Sequence, residues 1–181
     1  MRKYLSTLLI LWTAVSASNY LTNGDFEEPL PSGWLQYGAG VIIRGVNYDP
    51  DPDYEVFLYR TNPSGYAELC QAADIQTVDL EFSVSAKLYA SSNSSACWAG
   101  AAVIISYLDS LNSYLGETMI CYRSPACPWN NNDTCHVIPV VDTLWNDYAF
   151  NINDELTNIP GINPSHITKI RVSLLARCAS G

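Results

Sequence analysis

Leu80-Glu81-Phe82-Ser83-Val84-Ser85-Ala86-Lys87-Leu88-Tyr89-Ala90 decides the fold class of this chain. Leu80, Phe82, Val84, Ala86 and Leu88 occupy one parity, while Glu81, Ser83, Ser85, Lys87 and Tyr89 occupy the other. A period of two places one set on a core and the other in water, which predicts a half-buried antiparallel strand. The flanking segments extend this reading. Ser91 to Ser95 is a polar loop, and Cys97 to Leu108 is apolar on both parities, as a central strand requires. Asp109 to Ser113 turns the chain into a further strand over Tyr114 to Tyr122.

The same pattern continues in both directions. Val41-Ile42-Ile43, Tyr54 to Tyr59 and Tyr66 to Gln71 are short β-rich runs, the last entered through the turn Asn62-Pro63-Ser64-Gly65. Leu144 to Ile152 alternates, and Ile167 to Ala176 forms a late strand. No segment carries the 3.6-residue period of a long helix. Many short strands with turns about every ten residues predict an all-β sandwich of the jelly-roll kind, two antiparallel sheets face to face. Trp34, Trp145 and Phe150 are assigned to its core.

At the front of the chain, Arg2 and Lys3, an apolar stretch from Leu5 to Val15 and the small residues Val15-Ser16-Ala17 read as a secretory leader. Residues 1–17 are therefore expected to be removed, leaving residues 18–181 as one domain in an exported, extracellular protein. No run is long enough for a membrane span. Without Arg2 and Lys3, seven basic residues face eighteen acidic ones. Such a surface repels phosphate backbones and argues against nucleic acid as a partner.

Six cysteines in an exported chain, Cys70, Cys97, Cys121, Cys127, Cys135 and Cys178, read as three disulfides bracing the sandwich. Cys127 and Cys135 flank a polar insertion and are the first pair expected. Cys97–Cys121 and Cys70–Cys178 complete one of the fifteen possible connectivities. Zinc is the rival use of these thiols, though their spacing is irregular and His136 is the only histidine near them. Asn93-Ser94-Ser95 and Asn132-Asp133-Thr134 are N-glycosylation acceptor patterns in expected loops, at Asn93 and Asn132.

The segment Asn19 to Trp34 holds turn chemistry at Asn23-Gly24-Asp25, then Phe26-Glu27, and closes on Ser32-Gly33-Trp34. Asn23-Gly24-Asp25-Phe26-Glu27 followed by Gly33-Trp34 resembles the N-terminal signature of the galactose-binding-domain-like β-sandwiches, in particular the secreted carbohydrate-binding modules of cellulases and xylanases. The strand ending in Gln71, the hairpin reaching Leu115-Gly116-Glu117, and the series Trp145, Tyr148, Phe150 fit the same pattern. The resemblance implies a structural calcium ion at the first turn, with Asn23, Asp25 and Glu27 as ligands beside turn carbonyls. The simpler alternative is that Asp25 and Glu27 only cap the turn. Asp49, Asp51 and Asp53 form a second acidic loop of the same two readings.

In the resembling modules a final strand follows the late one, yet this chain ends at Cys178-Ala179-Ser180-Gly181. The favoured reading is a truncated domain, with Ala179-Ser180-Gly181 as the loop leading into the missing strand. The alternative is an open C-terminal sheet edge that could recruit self-assembly or a partner strand.

Glycans are held by aromatic faces stacked on the sugar, with polar groups on its hydroxyls. Tyr48, Tyr54, Tyr89 and Trp129 are the aromatic candidates for such a platform. Enzyme chemistry finds little support: His136 and His166 lie in no nucleophile motif, and the acids fall mostly in turns. The function expected is a secreted non-catalytic carbohydrate-binding module. The alternative is a structural or adhesive extracellular protein that assembles through the same fold.

Overall fold

A computed structural model describes residues 19–46, 53–61, 64–92 and 95–180. The chain is built almost wholly from strands: β1 (Leu35–Gly38), β2 (Val41–Gly45), β3 (Glu55–Tyr59), β4 (Gly65–Asp74), β5 (Glu81–Ala86), β6 (Cys97–Leu108), β7 (Tyr114–Arg123), β8 (Cys135–Pro139), β9 (Asn146–Asn151) and β10 (Lys169–Ser180). The single α-helix described, α1 (Ile152–Glu155), is one turn long and capped by the Asn151 side chain. The all-β expectation therefore holds.

Six strands form one sheet in the order β1-β4-β10-β6-β7-β8. The pairs are antiparallel except for β7 with β8, which run parallel. Opposite this sheet lie two separate two-stranded ribbons, β2-β3 and β5-β9. The second layer is thus a pair of ribbons instead of one continuous antiparallel sheet.

Alternation explains which residues meet. Leu69, Val103, Ile105, Tyr107, Ile120, Ile170 and Val172 face inward from the large sheet, and they share one core with Phe82 and Ala86 of β5 and with Trp34. Phe150, Ile42 and Leu58 pack against it half-buried. Trp145, expected in the core, is half-buried and lies outside the core cluster.

The C-terminal strand departs most from expectation. β10 pairs with β4 over Lys169 to Cys178 and with β6 over Lys169 to Ser180. It is a central strand, so the expected open edge at the C-terminus is not there. The edges are β1 and β8, both short, and β8 ends in Pro139, which cannot donate to a ladder.

The expected disulfide braces are also absent: no sulfur–sulfur bond joins the cysteines. Register rules out two of the expected pairs. Cys121 faces Ala102, five residues from Cys97, and Cys70 faces Ser173, five residues from Cys178. At a rise of about 3.3 Å per residue each pair is separated by about 16 Å along the strands, well beyond disulfide reach. Cys121, Cys127 and Cys135 instead sit buried on the outer side of the sheet. Burial pushes the thiols of Cys121 and Cys135 up to about 11, which suits inert packing groups.

Replacing Ile105, which is wholly buried, by Ala is expected to cost about 2–5 kcal/mol. Val141→Ala, at a side chain 89% exposed, should stay within about 0.5 kcal/mol, and urea unfolding of the two variants checks the assignment of inside and outside.

Candidate functional site

Alternation sends a second set of residues to the outer face of the large sheet. In register across β10, β6 and β7 these are Arg171–Ser106–Glu117, then Ser173–Ile104–Met119, Leu175–Ala102–Cys121 and Arg177–Gly100–Arg123. β4 adds Glu68, opposite Leu175, and Tyr66, opposite Arg177. A groove of about 320 Å³ lies on this face, lined by Tyr66, Glu68, Ile104, Glu117, Met119, Trp129, Arg171, Leu175 and Arg177.

The insertion between β7 and β8 walls the groove and is tied down by polar contacts. The buried Ser124 donates its amide to the Ala99 carbonyl (2.9 Å) and accepts the Ala99 amide on its hydroxyl (2.9 Å). Arg123 donates to the Asn130 side chain (3.0 Å), and Asn131 accepts from the Val137 amide (2.5 Å). These bonds lay the Trp129 ring directly over Gly100, where a Cβ would have no room. Trp98 meets Trp129 edge-on at 5.8 Å, and the Arg177 guanidinium lies 5.4 Å from the centre of the Trp98 ring.

The charges in the groove are unequal in standing. Glu68 accepts the Ser173 hydroxyl (2.8 Å) and lies 3.9 Å from the Arg171 guanidinium. Glu117 is pushed above the usual carboxylate range by burial, against the opposing pull of Arg171 and the Cys135 thiol. Ser106, between them, is buried, and its hydroxyl has no partner among the described residues. Aromatic faces, hydrogen-bonding carboxylates and guanidinium groups in one concave surface are what recognition of a polyhydroxylated ring requires.

The structure distributes the four aromatic candidates to different places. Trp129 lines the groove. Tyr54 lies at the N-terminal turn with its ring face covered by Arg44, whose Cζ is 3.3 Å from the ring centre, so that face is closed to a sugar. Tyr89 is 63% exposed and contacts Tyr122 at 5.8 Å, but Tyr122 points to the inner side of the sheet, away from Trp129. Tyr48 lies outside the described residues, as do Asn93, Asp49, Asp51 and the leader.

Sequence reasoning passed over Tyr66, Glu68, Glu117, Arg171 and Arg177. One signal was available, since Lys169, Arg171, Ser173 and Arg177 share one parity, interrupted by Leu175, against Ile170, Val172, Leu174 and Ala176 on the other. That parity marks a strand with one polar face.

The residues expected to ligate calcium are engaged in hydrogen bonds of the turn. Asn23 spends its side chain on the Glu28 backbone, donating to the carbonyl (2.9 Å) and accepting from the amide (2.8 Å), while its own carbonyl accepts the Trp34 indole N–H (2.9 Å). Asp25 accepts the Glu27 amide (3.3 Å), and Glu27 accepts the Tyr54 amide (3.1 Å). The carbonyls of Phe26 and Glu27 are taken by the Arg44 guanidinium, the latter at 2.6 Å. Asp25 and Glu27 thus brace the turn and its surroundings, and the Arg44 guanidinium lies against two of its carbonyls. Phe26, at φ 58°, is held in the left-handed region by this clamp and by its ring contact with Trp34 at 5.2 Å. Among the described residues no group of three His, Cys, Asp or Glu is placed to hold a metal. The zinc alternative meets the strand geometry of β8: Cys135 donates its thiol toward Glu117 on the outer face, while His136 pairs with buried Glu155 on the inner one. Asn132 is exposed, with its side-chain oxygen accepting from the Thr134 amide (2.9 Å) and hydroxyl (3.1 Å).

No family model and no curated protein matches the chain. Among solved structures it is similar to the enzymatically active domain of tailspike protein 4 of bacteriophage CBA120, at 16% identity and a TM-score of 0.49. That likeness covers 90% of this chain and 20% of the tailspike chain, so this chain spans about a fifth of its length. No described helix is long and apolar enough to cross a membrane.

Arg44→Gln is expected to lower stability by about 1–3 kcal/mol, through the lost carbonyl bonds and ring contact. Adding a calcium chelator to the wild-type protein should leave its thermal midpoint unchanged. A midpoint lowered by chelation and untouched by the substitution would show that an ion, and not Arg44, holds the turn.

Proposed function

We propose that this chain is an exported, non-catalytic carbohydrate-binding domain whose binding surface is the outer face of the six-stranded sheet. The observation that carries the reading is the groove walled by Trp129 and Tyr66, with carboxylates and guanidinium groups along its floor. A pyranose laid on the indole would bury its C–H face there and turn its hydroxyls toward Glu68, Glu117 and Arg171. The polar ties of the 124–134 insertion hold Trp129 in place before any ligand arrives, so little ordering entropy opposes binding. The resemblance of Asn23–Glu27 and Gly33-Trp34 to the galactose-binding-like modules supports the same reading. Buried Gln71 adds to it, exchanging two hydrogen bonds with the Thr22 backbone (2.6 and 2.8 Å) and so fastening that segment to the sheet.

The adhesive alternative drew on an open edge at the C-terminus or on the loop between Ser124 and Cys135 as its contact. With β10 paired on both sides, the loop is the contact left to it.

On a glycan array the domain is expected to bind at least one saccharide, and Trp129→Ala should weaken that binding by about 2 kcal/mol or more, roughly thirty-fold. The fold of the variant is checked by circular dichroism, and release of reducing ends from the bound saccharide should be nil. A blank array from folded protein, or binding indifferent to Trp129, would remove the proposal; turnover would remove its non-catalytic part.

A further inference from the structure

We propose that the groove selects a saccharide bearing a carboxylate, with the sugar ring on Trp129 and the carboxylate on the guanidinium of Arg177. The inference rests on the glycan-binding reading above and adds a ligand class to it.

The argument starts from where the positive charge lies. Of the seven basic residues outside the leader, four share this face, in a chain of net charge −9. Three of them, Arg123, Arg171 and Arg177, lie at the groove, while Lys169 lies at the start of β10. The others are engaged elsewhere or distant from the groove. Arg44 holds the N-terminal turn, Arg60 donates to the Ala39 carbonyl (2.7 Å), and Lys169 contacts Asn112 (2.5 Å) and Asp74 (3.5 Å). Lys87 follows β5 in the opposite layer.

Within the groove the cations are not equivalent. Arg171 is matched by Glu68, and Arg123 is bonded to Asn130 in the wall. Arg177 is exposed and near the Trp98 ring, with no carboxylate within ion-pair distance in the described structure. It lies opposite Gly100, so it flanks the spot where the Trp129 ring rests. An uncommitted guanidinium next to a sugar-sized aromatic face is a bidentate receptor for a carboxylate on that sugar.

The two acids in the groove do not cancel this. Glu68 is already compensated by Arg171 and the Ser173 hydroxyl. Glu117 lies on the far side, at the Arg171–Ser106 row, six residues along β10 from Arg177. The overall acidity of the protein acts over longer range and is screened beyond about 8 Å at physiological salt, whereas a direct guanidinium contact is not.

The test measures affinity by titration calorimetry for oligogalacturonides, alginate oligosaccharides and sialyllactose, each beside its carboxyl-reduced counterpart. At least one acidic form should bind about tenfold more tightly than its reduced form, and Arg177→Gln should erase that preference by weakening the acidic form more than the reduced one. Arg177→Lys should keep part of it, and added salt should weaken the acidic form alone. Equal affinity for acidic and reduced forms, or a preference that survives Arg177→Gln, overturns this inference and leaves glycan binding standing. If no form of any saccharide binds, or if Trp129→Ala changes nothing, both readings fall together.

Discussion

Everything in this fold depends on β10 being hydrogen-bonded along its length on both sides. Its inward residues Ile170, Val172 and Ala176 are buried, and Leu174 packs half-buried against the same core. Its outward residues Arg171 and Arg177 cannot be buried there without leaving charge unpaired. A slip of one residue against β4 or β6 would exchange the two sets, so the register is strongly determined. That one strand thereby separates a dry face, which makes the core, from a wet face, which makes the groove.

The wet face becomes a site because a loop is folded over part of it. Trp129 has room only because residue 100 lacks a side chain, and the loop that carries it is bonded back to Ala99, Arg123 and Val137. Beneath it Cys121, Cys135, Met119, Val137 and Ala102 form a second, small apolar cluster. Backbone ties hold the loop, and the buried thiols of Cys121 and Cys135 pack beneath it. A rigid aromatic wall beside ordered charges is the physical content of preorganisation.

Much of the architecture was legible in the sequence. The alternation of Leu80 to Ala90 matches β5, with Phe82 and Ala86 buried and Glu81, Ser83 and Ser85 exposed. The doubly apolar run Cys97 to Leu108 is the strand β6, residue for residue. The β1 and β8 edge strands were not legible, because four or five residues beside a turn carry too little pattern to separate from loop. Strand order escaped for another reason: β10 lies between β4 and β6, and no local signal encodes a partner a hundred residues away. The site was the least legible part. Its residues come from β4, β6, β7, β10 and the insertion, and only pairing register brings Tyr66, Glu117, Trp129 and Arg177 together. At the first turn, the part played by Arg44 was not legible, since β2 brings its guanidinium to the Phe26 and Glu27 carbonyls from eighteen and seventeen residues away.

The most direct measurement is two-dimensional NMR of the domain titrated with a saccharide that binds, following the indole N–H signals of Trp98 and Trp129, the Arg177 side chain, and the amides around Tyr54 and Tyr89. Binding on the outer face predicts shifts at Trp98, Trp129 and Arg177, with the Tyr54 and Tyr89 regions still. Shifts confined to Tyr54 or Tyr89, with both indoles unmoved, would contradict it and place the ligand elsewhere on the molecule.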